Sequence, residues 1–329
     1  MTVEEKRYHQ MTTHVGIAAI AFLALLFLRN RALELVAAIM AGGSMQAYLV
    51  AYHLVGGILY AAMFCLPVLL FCLLRPKGER FLPRLEWQLP RDTLLYVFFG
   101  MAVVIAAAYL NNMMLSVFDL IFPPVEPPIV EEGLGLSNYE LVLMLFTTAV
   151  VPAFAEEFFF RAMVLESFRP YGRTTAILAS ALLFGLMHQS FEQIFYTIVA
   201  GIVIGWVYVC TDSIWPCVLL HFVNNFTSVI TSAFSARLPN ATYVTLTYTV
   251  DGVIFLVGLA CGALLLLRKR SKGPDPRVVG AFEQELEPCE EYAPVAIAPG
   301  RRLQLFFSVP IIIYTVVCIV TMLGLFTYL

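Results

Sequence analysis

Apolar runs occupy positions 14–28, 52–74, 93–115, 138–168, 174–190, 193–210, 214–233, 249–267 and 303–328 of the chain, separated by short polar stretches. A helix that crosses a bilayer needs roughly 20 consecutive, mostly apolar residues, and most of these runs reach that length. The pattern therefore predicts an all-α fold, a multi-pass transmembrane helical bundle of about eight or nine helices. The first run is short and follows Lys6 and Arg7. It reads as an uncleaved anchor, because Arg29-Asn30-Arg31 beyond it is a poor signal-peptidase site. Residues 32–50 contain the break Gly42-Gly43-Ser44 and read as an interfacial segment.

Loop charge orients the bundle, since Lys and Arg concentrate in cytoplasmic loops. The stretch 75–91 holds Arg75, Lys77, Arg80, Arg84 and Arg91, whereas 116–137 has no basic residue and holds Asp119, Glu126, Glu131 and Glu132. The first is expected to be cytoplasmic and the second external. Alternation then places Arg169, Arg173 and the cluster Arg268-Lys269-Arg270-Ser271-Lys272 on the cytoplasmic side. Pro123-Pro124-Val125-Glu126-Pro127-Pro128 reads as a stiff external loop, and 268–302 as a solvated polar linker before the last helix.

Composition supports the same class. Hydrophobic residues make up 60% of the 329 and charged residues 13%, about half the charge of a soluble domain, and the mean hydropathy is +0.83. The expected location is a membrane, the cell membrane in a prokaryote, and the lipid bilayer is the first partner. A net charge of −3 with no basic face gives no reason to expect nucleic acid. The seven cysteines, Cys65, Cys72, Cys210, Cys217, Cys261, Cys289 and Cys318, form no C-x-x-C pair and read as small packed thiols.

Three constellations between positions 156 and 225 interrupt this apolar background. The first is Glu156-Glu157-x-x-x-Arg161. Arg161 follows Glu157 by one helical turn, so the two can pair on one face, while Glu156 projects about 100° away. One carboxylate is then neutralised and the other is left in a low-dielectric site, where it can hold a proton or polarise a water. Charge at that depth is costly, which makes it a functional-site hypothesis by default. The second is Phe184-x-x-x-His188 and the third His221-x-x-x-Asn225, each on one helix face. Taken alone, either histidine is as readily a packed, hydrogen-bonded residue.

A helical hairpin relates the first two. With the fold-back at Pro170-Tyr171-Gly172-Arg173, Glu156 lies 15 positions before Tyr171 and His188 lies 17 after it, a mismatch of about 3 Å. His221 and Asn225 lie 9 and 13 positions after the next turn on that side, at Asp212. They are expected some turns shallower unless the helices are staggered or tilted. Of five histidines, His53 heads an early run with no acidic neighbour in sequence.

The three motifs, in this order on successive apolar segments, resemble the CPBP family, which comprises the type 2 CAAX prenyl proteases and the bacteriocin-processing, lysostaphin-resistance-protein-A-like intramembrane proteases. The resemblance covers roughly 138–235. It implies a catalytic four-helix core at 138–235, with accessory helices and the proline-rich loop at 1–137, and further accessory helices with the polar loop at 236–329. It also implies intramembrane hydrolysis of a peptide bond in a membrane-associated, prenylated or leader-peptide substrate. In that reading Glu156 activates water, Glu157 and Arg161 support it, His188 positions water or binds a metal, and His221 with Asn225 forms the oxyanion side.

Amide hydrolysis needs a base, an oxyanion donor and an acid for the leaving amine, each within about 3 Å of its target, and these residue types supply them. No cofactor is favoured. Zinc is the open alternative, with His188, His221 and Glu156 as its ligands, although H-E-x-x-H is absent. No G-x-S-x-G elbow and no paired aspartates within the spans suggest serine or aspartate chemistry. A proton-coupled transporter is the competing class, yet no repeated half surrounds Pro152 as such folds usually show. A catalytically silent relative acting as a scaffold or immunity factor is the third reading. Gly201 and Gly205 read as close helix packing within the chain.

Overall fold

Thr2 and Glu5 begin the first helix by capping each other: the Thr2 hydroxyl accepts from the Glu5 amide and the Glu5 carboxylate from the Thr2 amide. Such reciprocal caps satisfy two amides that a helix start leaves unpaired. In the computed structural model, which describes residues 1–75, 89–121, 137–235, 237–272 and 297–324, this helix is α1 (Val3–Ile39), followed by α2 (Met45–Leu74) and α3 (Thr93–Ile121). Next comes α4 (Asn138–Tyr171), a span whose Ser137–Glu140 capping box repeats the device of α1. The chain continues through α5 (Arg173–Met187), α6 (Ile194–Thr211), α7 (Trp215–Ser235), α8 (Asn240–Lys272), α9 (Pro299–Phe306) and α10 (Val309–Met322), with no strand among the described residues.

Seven of these helices are long and apolar enough to cross a membrane, and α9 with α10, bent by 69° at their junction, makes an eighth if the pair is one span. The protein is a multi-pass membrane protein. Two expectations on the spans are corrected. The run 14–28 is the middle of a 37-residue helix, because polar residues at both of its ends continue the helix beyond the apolar stretch. The run 174–190 yields the 15-residue α5, too short to count as a span and mostly buried among its neighbours. The break at Gly42 stands where expected, with φ of 81°. Lys77, Arg80, Arg84, Cys289, the proline-rich loop and most of the polar stretch 268–302 lie outside the described residues.

Helix α1 packs along α2 and α10, α3 against α6 and α8, and α5 against α6. Helix α7 lies against α3 and the first half of α4. The α5–α6 contact depends on Gly201: a Cβ there would lie 2.9 Å from the Cα of Ala181, so only glycine permits this approach. The packing is internal to the chain, as expected for Gly201.

Helix α4 is not uniform. It widens into π-helical turns at Leu145–Val150 and again at Phe158–Leu165, either side of the α-helical Val151–Glu157. Such i→i+5 turns are rare and cluster at functional sites. Pro152, at the start of the central α-helical piece, has no N–H to offer the preceding turn. Helix α4 ends at Gly172, whose φ of 118° suits a residue without Cβ and turns the chain into α5.

Candidate active site

The Glu157–Arg161 pair expected from the one-turn spacing is present. Arg161 Nη1 donates to Glu157 Oε1 at 3.1 Å, and both side chains are fully buried. A buried guanidinium needs more than one partner to offset its desolvation. Arg161 Nη2 also donates to the Gly201 carbonyl at 3.2 Å, and the guanidinium lies over the Phe184 ring, 4.8 Å from its centroid. The glycine that lets α6 approach α5 thus also brings a backbone acceptor to the arginine.

His221 completes this pair. Its Nδ1 is 2.7 Å from Glu157 Oε1, and its Nε2 is 3.9 Å from Glu156 Oε2. A carboxylate paired with arginine only accepts, so Nδ1 carries the proton and Nε2 faces Glu156. His221 is therefore level with the two glutamates, not some turns shallower. The reason lies in the turn: Arg169 Nη2 bonds Asp212 Oδ1 at 2.6 Å, which aligns Asp212 with Arg169 and not with Tyr171. Glu157 is then twelve positions from that level and His221 nine, a difference of about 4.5 Å at 1.5 Å per residue. The π-helical Phe158–Leu165 lies in the longer arm, and its wider turns advance less per residue.

Glu156 is 3% exposed. Its Oε1 accepts from the Tyr60 hydroxyl of α2, whereas Oε2 is buried without a hydrogen-bond partner. Sequence reasoning missed Tyr60. Its signal was a tyrosine inside an apolar run, whose hydroxyl must find a partner when buried.

His188 follows the last residue of α5, and Gln189, with a left-handed φ of 49°, ends the helix there. His188 Nδ1 lies 2.9 Å from the Phe184 carbonyl. A carbonyl only accepts, so Nδ1 is protonated and Nε2 presents a lone pair when the ring is neutral. The imidazole is within electrostatic reach of both Glu156 and His221. Phe184 joins the two histidines, with ring centroids 5.0 Å from His188 and 5.9 Å from His221. Phe160 packs on Phe184 at 5.2 Å, and Phe159 and Phe64 continue this aromatic wall, which keeps the carboxylates in a low-dielectric setting.

Asn225 stands apart from this cluster. Its Nδ2 donates to the Thr148 carbonyl at 3.1 Å, the acceptor four residues before Pro152 and hence one that Pro152 cannot satisfy. Its Oδ1 accepts from Asn224 at 3.2 Å, and Asn224 Oδ1 accepts from Tyr196 at 2.7 Å. Asn224 and Tyr196 line a cavity of about 490 Å³ between α3, α6, α7 and α8. That cavity is not lined by Glu156, His188 or His221.

The structure thus brings Glu156, Glu157, Arg161 and His221 together, sets His188 within reach and anchors Asn225 one turn beyond His221. Among the described residues, no three His, Cys, Asp or Glu side chains are grouped to hold a metal ion. Of His188, His221 and Glu156, the contact between His221 Nε2 and Glu156 Oε2 is 3.9 Å.

Residues 138–227 match the family model described as Rce1-like, type II CAAX prenyl endopeptidase Rce1-like. No curated protein and no solved structure matches the chain.

Proposed function

We propose, from the Rce1-like match of residues 138–227, that the chain is an intramembrane protease of the CPBP type and that it hydrolyses a peptide bond by a water that Glu156 activates. The observation that carries this reading is the pair of facing atoms, Glu156 Oε2 without a partner and His221 Nε2 3.9 Å away. A water beside both donates one proton to each acceptor and aims its lone pair outward.

Charge supports the same assignment. With His221 neutral, the two carboxylates and one guanidinium of the buried cluster can take up one proton, and doing so lowers a costly buried net charge. Glu156 takes that proton from water as oxygen attacks the carbonyl carbon, and the glutamic acid or His221 then returns it to the departing amine as the C–N bond breaks. Glu157 and Arg161 act through His221, fixing its ring so that Nε2 faces the reaction.

The oxyanion falls to a group on the far side of the water. Asn225, one turn beyond His221, has two amide protons, of which one serves Thr148; the other is the proposed donor to the developing charge if bound substrate bridges the distance to it. His188 orients the water, whose proton its Nε2 lone pair can accept. No step is routed through a metal.

The description of the matched family directs the choice of substrate to a chain with a prenylated cysteine near its C-terminus. A fluorogenic farnesylated CAAX peptide, offered to purified protein in proteoliposomes, tests the proposal. Release of the C-terminal tripeptide by the wild type and none by Glu156→Gln is the expected result. Intact peptide together with proton-coupled flux across the vesicle overturns it in favour of a transporter.

A further inference from the structure

Glu156 is held by helices that lie outside the matched segment. Its Oε1 accepts from Tyr60 of α2, and the face of the Tyr60 ring carries the guanidinium of Arg29 from α1, 5.5 Å from the centroid. We infer that Tyr60 is a positioning residue for Glu156, that Arg29 acts through it, and that the α1–α2 pair therefore completes the base of the active site.

The terminal torsion of a glutamate is broad and nearly twofold, so nothing in the side chain itself chooses between its two oxygens. The Tyr60 hydroxyl makes that choice. By engaging Oε1 it sets the carboxylate plane and leaves Oε2, buried and without a partner, toward His221 Nε2. Without the hydroxyl, the carboxylate is free to swing and the water it holds leaves the line of attack.

Arg29 is otherwise hard to account for. It stands just past the apolar stretch of α1 and its other contacts are weak: Asn30 Oδ1 lies 3.4 Å away and Nε is buried without a partner. Over the ring, its charge meets the negative face of the aromatic system and draws density from the phenol, which strengthens the hydroxyl as a donor.

This inference rests on Glu156 as the base, so the experiment separates the two. The full-length protein in proteoliposomes is assayed on the farnesylated CAAX peptide, with kcat, KM and the melting temperature measured for Tyr60→Phe, Arg29→Met, Arg29→Lys and Tyr60→Phe/Arg29→Met. Tyr60→Phe is expected to lower kcat by about ten- to a hundredfold while KM stays within about twofold and melting is unchanged. Arg29→Met should lower kcat by roughly two- to fivefold, Arg29→Lys should restore most of it, and the double variant should be no slower than Tyr60→Phe. Non-additivity of this kind marks two residues acting on one step. Wild-type kcat in Tyr60→Phe, or an Arg29→Met effect that persists undiminished in the double variant, overturns the inference. If Tyr60→Phe does not fold, Arg29→Lys and Arg29→Met decide, and equal kcat in the two overturns it. Loss of activity in Glu156→Gln with full activity in Tyr60→Phe removes only the positioning role, whereas full activity in Glu156→Gln removes the proposed base as well.

Discussion

Glu157 Oε1 lies 2.7 Å from His221 Nδ1 although sixty-four positions separate the two residues in the chain. That oxygen also accepts from Arg161, so one buried atom ties the second half of α4 to α7. The contact turns the imidazole so that its other nitrogen faces Glu156. In the proposed mechanism the roles of the two adjacent glutamates divide at this point: Glu157 orients His221, and Glu156 activates the water.

Replacing Glu156 with Gln keeps volume and removes the proposed base. We expect cleavage of the farnesylated peptide to fall by about 10²- to 10⁴-fold, with membrane insertion and melting temperature unchanged. Wild-type turnover in this variant would exclude Glu156 as the base.

Arg161→Ala leaves Glu157 buried with one partner fewer. Breaking a buried pair by removing one member costs about 3–5 kcal/mol, so a lower melting temperature in detergent and reduced folded yield should accompany the loss of activity. An unchanged melting curve would show that Glu157 does not depend on the arginine.

Gly201→Ala tests the α5–α6 contact. The added methyl would meet the Ala181 backbone at 2.9 Å, and overpacking of this kind costs about 1–3 kcal/mol. Because the Gly201 carbonyl also holds Arg161, activity should drop together with stability. A Gly205→Ala variant, whose Cβ meets no atom closer than 3.4 Å, should be milder on both counts, and equal losses at the two glycines would contradict the assigned contact.

Treatment with a strong chelator addresses metal dependence directly. With water activated by Glu156 alone, cleavage should persist after chelation while His188→Ala is impaired. Loss of activity on chelation, restored by added zinc, would overturn the metal-free route.

The spans, the membrane class and the Glu157–Arg161 pair were legible in the amino-acid order, because each depends on local quantities: the length of an apolar run, or a four-residue spacing that a helix converts into contact. The three motifs were legible too, as residue types out of place in hydrocarbon. What the order of residues left open was every partner that another helix supplies. Tyr60 reaches Glu156 across 96 positions and Asn225 reaches Thr148 across 77, and no periodicity encodes either distance. The level of His221 was decided by the Arg169–Asp212 contact at the turn and by the π-helical widening of α4. Hydrophobic spacing specifies which face of a helix is buried; how far one helix slides against the next is settled only when the glycines, prolines and buried charges of all of them are satisfied together.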